Sequence, residues 1–182
     1  QLAKITDQLN IKLVHISSDH LFDGKNEMNS EVSITHPLNI YAKSKLYGEK
    51  NVMLNNKNAL IIRTNFFGKG PAYKPSFSDT IISFLKHNKN IFLFNNVYYT
   101  PIHVYEIADK TISLLNLNAS GIFNITSNER ITKYDFGVLL ARKFNFNPKL
   151  LIPITIEEKK ELVQRPKDMS LSNLKLKKFT NS

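Results

Sequence analysis

Short apolar runs alternate along the chain with longer stretches in which apolar residues recur every three or four positions. Ile11-Lys12-Leu13-Val14-His15-Ile16 reads as a buried strand that stops at the polar run Ser17-Ser18-Asp19. Before it, residues 1–10 read as the end of a helix with Leu2, Ile5 and Leu9 on one face. Asp23-Gly24 marks a turn, and 25–38 is a polar loop ending in His36-Pro37. A helix is predicted over 39–55. Ala59-Leu60-Ile61-Ile62-Arg63-Thr64 opens with four apolar residues, as in a parallel strand covered on both faces. Gly68, Gly70, Pro71 and Pro75 make 65–76 a loop. Ser76 or Ser78 caps the next helix, whose core face is Phe77, Ile81, Phe84 and Leu85.

Ile91–Phe94 is a short strand. Residues 100–104 are extended and lead into a helix through Leu115, with Ile107, Ala108, Leu114 and Leu115 inward. Gly121–Ile125 is a further strand. Thr132 and Asp135 have capping-box spacing and open a helix with Phe136, Leu139, Leu140 and Phe144 on one stripe. From Leu151 the tail shows little pattern. Tyr98-Tyr99 reads as packing at a strand entrance, and 157–161 as a solvated helical turn. Strands alternating with helices predict an α/β fold with a largely parallel sheet. Ligands of such sheets sit beyond the carboxyl ends of the strands. Two such ends are visible, Ser17-Ser18-Asp19 and Thr64-Asn65-Phe66.

Composition narrows the partners. With 42% hydrophobic and 22% charged residues the chain is globular. No apolar run approaches the ~18–20 residues that cross a bilayer. No membrane partner is expected, and the reading is cytoplasmic. The chain has no cysteine, hence no disulfide and no thiolate ligand or nucleophile. Its net charge of +10 comes from 21 Lys and only 4 Arg, whereas clamping phosphates and reading bases lean on Arg. The lysines are scattered, and 21 Asn and 19 Ile are equally numerous, which points to a codon bias. No nucleic-acid partner is expected; an electropositive cleft for a small anion is the simpler use of the charge. His15 reads as a core residue. His36, His87 and His103 lack metal-ligand spacing, so no metal site is expected.

Tyr41-Ala42-Lys43-Ser44-Lys45 puts Tyr41 and Lys45 on one face of a helical turn. A phenol has a pKa of about 10, and a nearby ammonium favours its phenolate. Such a pair can exchange a proton with a substrate oxygen near neutrality. Ser18 at the preceding strand end can hydrogen-bond the same oxygen. About one Tyr/Lys pair of this spacing is expected by chance among 7 Tyr and 21 Lys, so context carries the argument.

That context has a family resemblance. Residues 14–24 (Val-His-Ile-Ser-Ser-Asp-His-Leu-Phe-Asp-Gly), 37–49 (Pro-Leu-Asn-Ile-Tyr-Ala-Lys-Ser-Lys-Leu-Tyr-Gly-Glu), 59–64, and the tail pairs Arg165-Pro166 and Ser170-Leu171 resemble the extended short-chain dehydrogenase/reductase superfamily. The match is closest to its dTDP-4-dehydrorhamnose reductase family. The resemblance implies a catalytic set of Ser18, Tyr41 and Lys45. In that set Tyr41 is the proton donor, Lys45 holds the nicotinamide ribose and lowers the phenol pKa, and Ser18 orients the substrate oxygen. It implies cofactor contacts from Tyr41, Lys45, Thr64 and Asn65, and substrate contacts from Ser18, Asp19, His20, Phe66 and Arg165, the last near a sugar-nucleotide diphosphate. The cofactor is NADPH or NADH, the substrate a nucleotide sugar, and a homodimer is a possible assembly. Three positions depart from the family: Ser18 where Thr is usual, His20 where Tyr is usual, and Phe66 where Trp is usual.

The family's opening strand, Gly-rich turn and helix are missing. Gly68-Lys69-Gly70-Pro71-Ala72-Tyr73 follows a strand but lacks the third glycine. The expectation is therefore an incomplete Rossmann-like parallel sheet with helices plus a smaller C-terminal substrate domain. Residues 1–66 are assigned to the dinucleotide domain and 67–182 to the substrate domain, with about 97–117 packing back on the first. The chain reads as the C-terminal portion of a longer reductase and is expected to be inactive by itself. A short natural protein that lost the cofactor is the alternative. The alternatives for function are a sugar-nucleotide epimerase or dehydratase of the same superfamily, and a non-catalytic regulatory subunit.

Overall fold

The computed structural model describes residues 1–181. Three parallel strands form the first layer in the order β1-β2-β7: β1 (Val14–Ile16), β2 (Leu60–Arg63) and β7 (Gly121–Asn124). Val14 pairs with Leu60, and Leu60 with Gly121. The four residues of β2 are all buried, as its apolar run requires at the centre of a sheet. β1 departs from its predicted burial. It is three residues long, pairs only with β2, and leaves Ile16 41% exposed. Period and composition cannot distinguish an edge strand from a central one. Leu2, Ile5 and Leu9 of α1 (Leu2–Gln8) likewise face solvent, while Ala3 and Thr6 are buried.

α2 (Ile40–Asn55) crosses beside β1. Asn39 caps it by accepting from the Ala42 amide at 2.9 Å. Gly48 lets it approach: a Cβ there would sit 3.2 Å from His15 Nε2. Only Ala42 and Glu49 of this helix are buried. Glu49 meets Arg63 of β2 in a two-pronged ion pair, with Nε–Oε1 2.9 Å and Nη2–Oε2 2.7 Å. One core then forms from Leu60, Ile62, Ile107, Leu114, Phe123 and Leu176, under α4 (Val104–Asn116) and α6 (Leu174–Thr180). In α4, Ile107 and Leu114 are buried as expected, but Ala108 is exposed.

A second core gathers Ile81, Leu85, Leu93, Tyr99, Phe136 and Leu151. It lies between α3 (Phe77–Lys86), α5 (Lys133–Lys143) and the parallel pair β4 (Ile91–Phe94) and β9 (Leu151–Ile154). β9 is the strand the patternless tail concealed. It is four residues long with Pro153 inside it, and its partner β4 is far away in sequence. Ser76 and Thr132 close the capping boxes of α3 and α5 with Asp79 and Asp135. The stripe of α5 is rotated from expectation: Phe136, Gly137 and Ala141 are buried, while Leu139 and Phe144 are exposed. At α3, Ile81 and Leu85 are buried, and Phe77 and Phe84 sit at the rim. Two further short pairings join loops: β3 (Phe66–Phe67) with β6 (Ile102–His103), and β5 (Tyr98–Tyr99) with β8 (Ile131–Thr132).

Asn10, Asn88, Asn118 and Asn145 follow α1, α3, α4 and α5 in the left-handed conformation, with φ between 52° and 56°. Asparagine tolerates that conformation better than other side chains do, so part of the asparagine excess has a structural use. Among the described residues no helix is long and apolar enough to cross a membrane, and no group of three or more His, Asp and Glu is placed to hold a metal.

Candidate active site at the carboxyl ends of the parallel strands

The chain leaves β1 through Ser17, whose amide still donates to the Ile62 carbonyl at 2.7 Å. It then turns sharply inward, burying Ser18 and Asp19. The Ser18 hydroxyl donates to Asp19 Oδ1 at 3.2 Å and accepts from the His20 amide at 3.2 Å. From the end of β2, Asn65 Nδ2 donates to Asp19 Oδ2 at 2.5 Å. The two strand ends are thus tied together through one buried carboxylate. His20 packs edge-on against the Tyr41 ring, 5.6 Å between centroids. Burial holds its imidazole pKa below the ordinary value, and the Asp19 carboxylate works against that shift.

Tyr41 and Lys45 sit in the first turns of α2 on one side. Tyr41 is 52% exposed. Lys45 Nζ lies 6.0 Å from the Tyr41 ring centroid and 3.5 Å from the Ile16 carbonyl oxygen at the end of β1. Helical spacing made this pair possible, and the close approach of α2 to β1 delivers it to the strand end carrying Ser18.

A cavity of about 310 Å³ is lined by His20, Phe77, Phe94, Lys133, Arg165 and Met169 among others. Arg165 reaches it because the tail is clasped nearby. Arg130 holds Asp168 at 2.5 Å and stacks on Tyr98 with 3.8 Å from its guanidinium carbon to the ring centroid. Gly24 completes the clasp at φ +79°, where a Cβ would lie 2.7 Å from the Lys167 amide nitrogen and 2.8 Å from Pro166 Cβ. Asn39 Nδ2 also donates to the Gln164 carbonyl at 2.9 Å, joining the tail to the start of α2.

Ser18, Asp19, His20, Tyr41, Lys45 and Arg165 are therefore brought to one region. Asn65 is there too, with its amide engaged by Asp19. Thr64 Oγ1 is buried without a hydrogen-bond partner. Phe66 is 56% exposed on β3 and does not line the cavity. Sequence reasoning did not single out Lys133 or Arg130, while Tyr99 packs in the core at a strand as read. Lys133 does carry a signal: it occupies the first position of α5, where a cation opposes the helix dipole.

The model of the RmlD substrate binding domain family matches residues 1–182. The chain belongs to this family. A solved dTDP-4-dehydrorhamnose reductase from Clostridium acetobutylicum is similar over 100% of the chain and 63% of its own, at 28% identity and a TM-score of 0.90. The Bacillus anthracis dTDP-4-dehydrorhamnose reductase solved in complex with NADP matches over 97% and 62%, at 25% identity and a TM-score of 0.88. Among curated proteins, the beta subunit of methionine adenosyltransferase 2 from Xenopus laevis is 35% identical over 98% of the chain and 55% of its own length. The chain thus spans about half the length of the curated relatives it matches. Its RmlD-type fold is mixed α/β with a parallel Rossmann-like sheet, as the strand and helix pattern predicted. The site just described occupies the carboxyl ends of that sheet.

Proposed function

We propose that this chain is the substrate-side portion of an NAD(P)-dependent reductase acting on a 4-keto deoxy-sugar nucleotide. One observation carries the reading. Tyr41 and Lys45 of α2 lie near the strand end that carries Ser18 and the buried Asp19 carboxylate, and His20, packed on Tyr41, also lines a cavity with Arg165. The similarity to dTDP-4-dehydrorhamnose reductases supports the substrate class.

The residues fit a nicotinamide cofactor on the β1 side of the site. The exposed phenol of Tyr41 and the ammonium of Lys45 point to one side, and the hydroxyl of Thr64 has no partner. When bound in reduced form, that cofactor supplies the hydride that attacks the sugar carbonyl carbon. Tyr41 donates its phenolic proton to the carbonyl oxygen as charge develops there. Lys45 stabilises the phenolate left behind. Ser18 has a single O–H, which it now gives to Asp19. Turning that bond outward orients the substrate oxygen, while the His20 amide still holds Oγ. Arg165 binds the diphosphate, which does not react.

The test uses the protein with its cofactor-binding part. NADPH oxidation at 340 nm is followed with dTDP-4-keto-6-deoxy-sugar as substrate. Tyr41→Phe is expected to lower kcat by about 10²–10⁴-fold with KM little changed. Turnover within threefold of the parent removes Tyr41 from the acid role. The likeness to a methionine adenosyltransferase subunit favours a second reading, a non-catalytic binding subunit. That reading predicts no turnover in the parent and complex formation that survives Tyr41→Phe.

A further inference from the structure

Lys133 stands out from the other 20 lysines. The residue is half-buried, and its ammonium lies 3.2 Å from the centroid of the Tyr99 ring and 5.1 Å from that of Phe77. Among the described residues it has no carboxylate oxygen within 4.0 Å and donates no side-chain hydrogen bond. The nearby carboxylate, Asp19, is already engaged by the Ser18 hydroxyl and the Asn65 amide. Arg165, the other cation of the cavity, makes only a 3.4 Å contact to the Val163 carbonyl of its own segment. Two cations without counter-ions thus line one cavity of about 310 Å³. A ring face replaces only part of the hydration an ammonium gives up. Arg165 is exposed and keeps its hydration, but a desolvated ammonium without a partner, as at Lys133, is costly and is relieved where a ligand completes it.

We infer that Lys133 is a ligand-binding residue of the cavity and that it pairs with an anionic oxygen group of the bound substrate. The inference rests on reading this cavity as the substrate pocket. It adds a residue that Ser18, Tyr41, Lys45 and Arg165 do not include, and it fixes a chemistry: the ligand carries negative charge within reach of both Lys133 and Arg165. That charge belongs either to a nucleoside diphosphate or to a carboxylate on the sugar.

A second consequence follows from the surroundings. The groups facing Lys133 are the Asp19 carboxylate, the Arg165 guanidinium, the neighbouring His20 of the same cavity, and the rings of Tyr99 and Phe77. Burial pushes the ammonium pKa down to about 8. The Asp19 charge opposes that shift and the Arg165 charge adds to it. An anion placed beside Lys133 favours the ammonium, so binding draws a proton from solution near pH 8. The His20 imidazole, with its pKa lowered from 6.5, is neutral at that pH and contributes little. Affinity therefore falls as pH rises through about 8.

The experiment is calorimetric titration of the protein, parent and Lys133→Met, with dTDP and with dTDP-glucuronic acid. Each titration is run at pH 8 in two buffers of different ionisation enthalpy. The expected result is a 10- to 100-fold weaker dissociation constant in Lys133→Met, the range of a lost charge-assisted bond. Uptake of about half a proton per ligand in the parent should vanish in the variant. A loss seen with dTDP itself assigns the contact to the diphosphate; a loss seen only with dTDP-glucuronic acid assigns it to the sugar carboxylate. Equal affinities for both ligands overturn the inference, as does a parent that binds without proton uptake. The second measurement needs no variant and so stands if Lys133→Met folds poorly. Turnover is scored separately. A parent that reduces the keto sugar while Lys133→Met binds normally keeps the reductase reading and loses this inference. A parent that binds through Lys133 without turnover does the reverse.

Discussion

Replacing Glu49 with Ala tests what holds α2 against the sheet. Glu49 and Arg63 are each at most 4% exposed, and two hydrogen bonds of 2.9 and 2.7 Å join them. Without the carboxylate, the Arg63 guanidinium stays inside the molecule. Its remaining contacts are the Glu31 carbonyl oxygen at 3.4 Å and the Phe22 ring at 5.7 Å. Neither neutralises its charge. Removing one partner of a buried pair costs about 3–5 kcal/mol. In a chain of this size each kcal/mol moves Tm by about 2–4 °C, so a fall of about 6–20 °C is expected. Urea unfolding followed by circular dichroism measures the loss directly. The double variant Glu49→Leu/Arg63→Met removes both charges and should recover most of it. Lys25→Ala is the control, because the Lys25–Asp23 pair is exposed and should matter by less than about 1 kcal/mol. A loss of under about 1 kcal/mol for Glu49→Ala would refute the reasoning. It would mean that the Arg63 charge finds solvent or another partner without its carboxylate.

Arg165→Ala should raise KM for the nucleotide sugar by about 10–150-fold and leave kcat nearly unchanged, since a diphosphate contact is equal in ground and transition states. Arg165→Lys should restore part of the loss, and equal KM values in parent and Arg165→Ala would return Arg165 to a structural role. Gly24→Ala should destabilise the protein by about 1–3 kcal/mol in the same urea assay, because the left-handed backbone and the 2.7 Å approach of the Lys167 amide nitrogen leave no room for a methyl group. Its KM should rise as well, as the displaced tail carries Arg165; a variant with parental stability and KM would show that the turn is not holding the tail.

Some of this protein is local and therefore legible in the order of its residues. The apolar run at 60–63 needs cover on both faces, and β2 is buried throughout. Thr132-x-x-Asp135 closes a capping box within a single turn and marks the start of α5 as read, while at α3 the reading left Ser76 and Ser78 open and the structure selects Ser76. Tyr41 and Lys45 share a helix face by spacing alone. Other features belong to neighbours distant in sequence. β1 pairs within this chain with β2 alone, and its own residues do not show how many strands flank it. β9 shows no pattern, because its partner is some sixty residues away. The stripe of α5 is turned because Gly137 and Ala141, small enough for close packing on β4 and β9, take the core face that periodicity gave to Leu139 and Phe144. The site divides the same way. Ser18, Tyr41 and Lys45 are legible in the sequence through the ordered motifs around them, since the bare Tyr/Lys spacing is expected by chance. Asn65 on Asp19, Arg130 on Asp168, and Lys133 over Tyr99 appear only after folding. A lysine's chemistry is set by what surrounds its ammonium, and only the tertiary structure puts Lys133 on an aromatic ring with no ion-pair partner among the described residues.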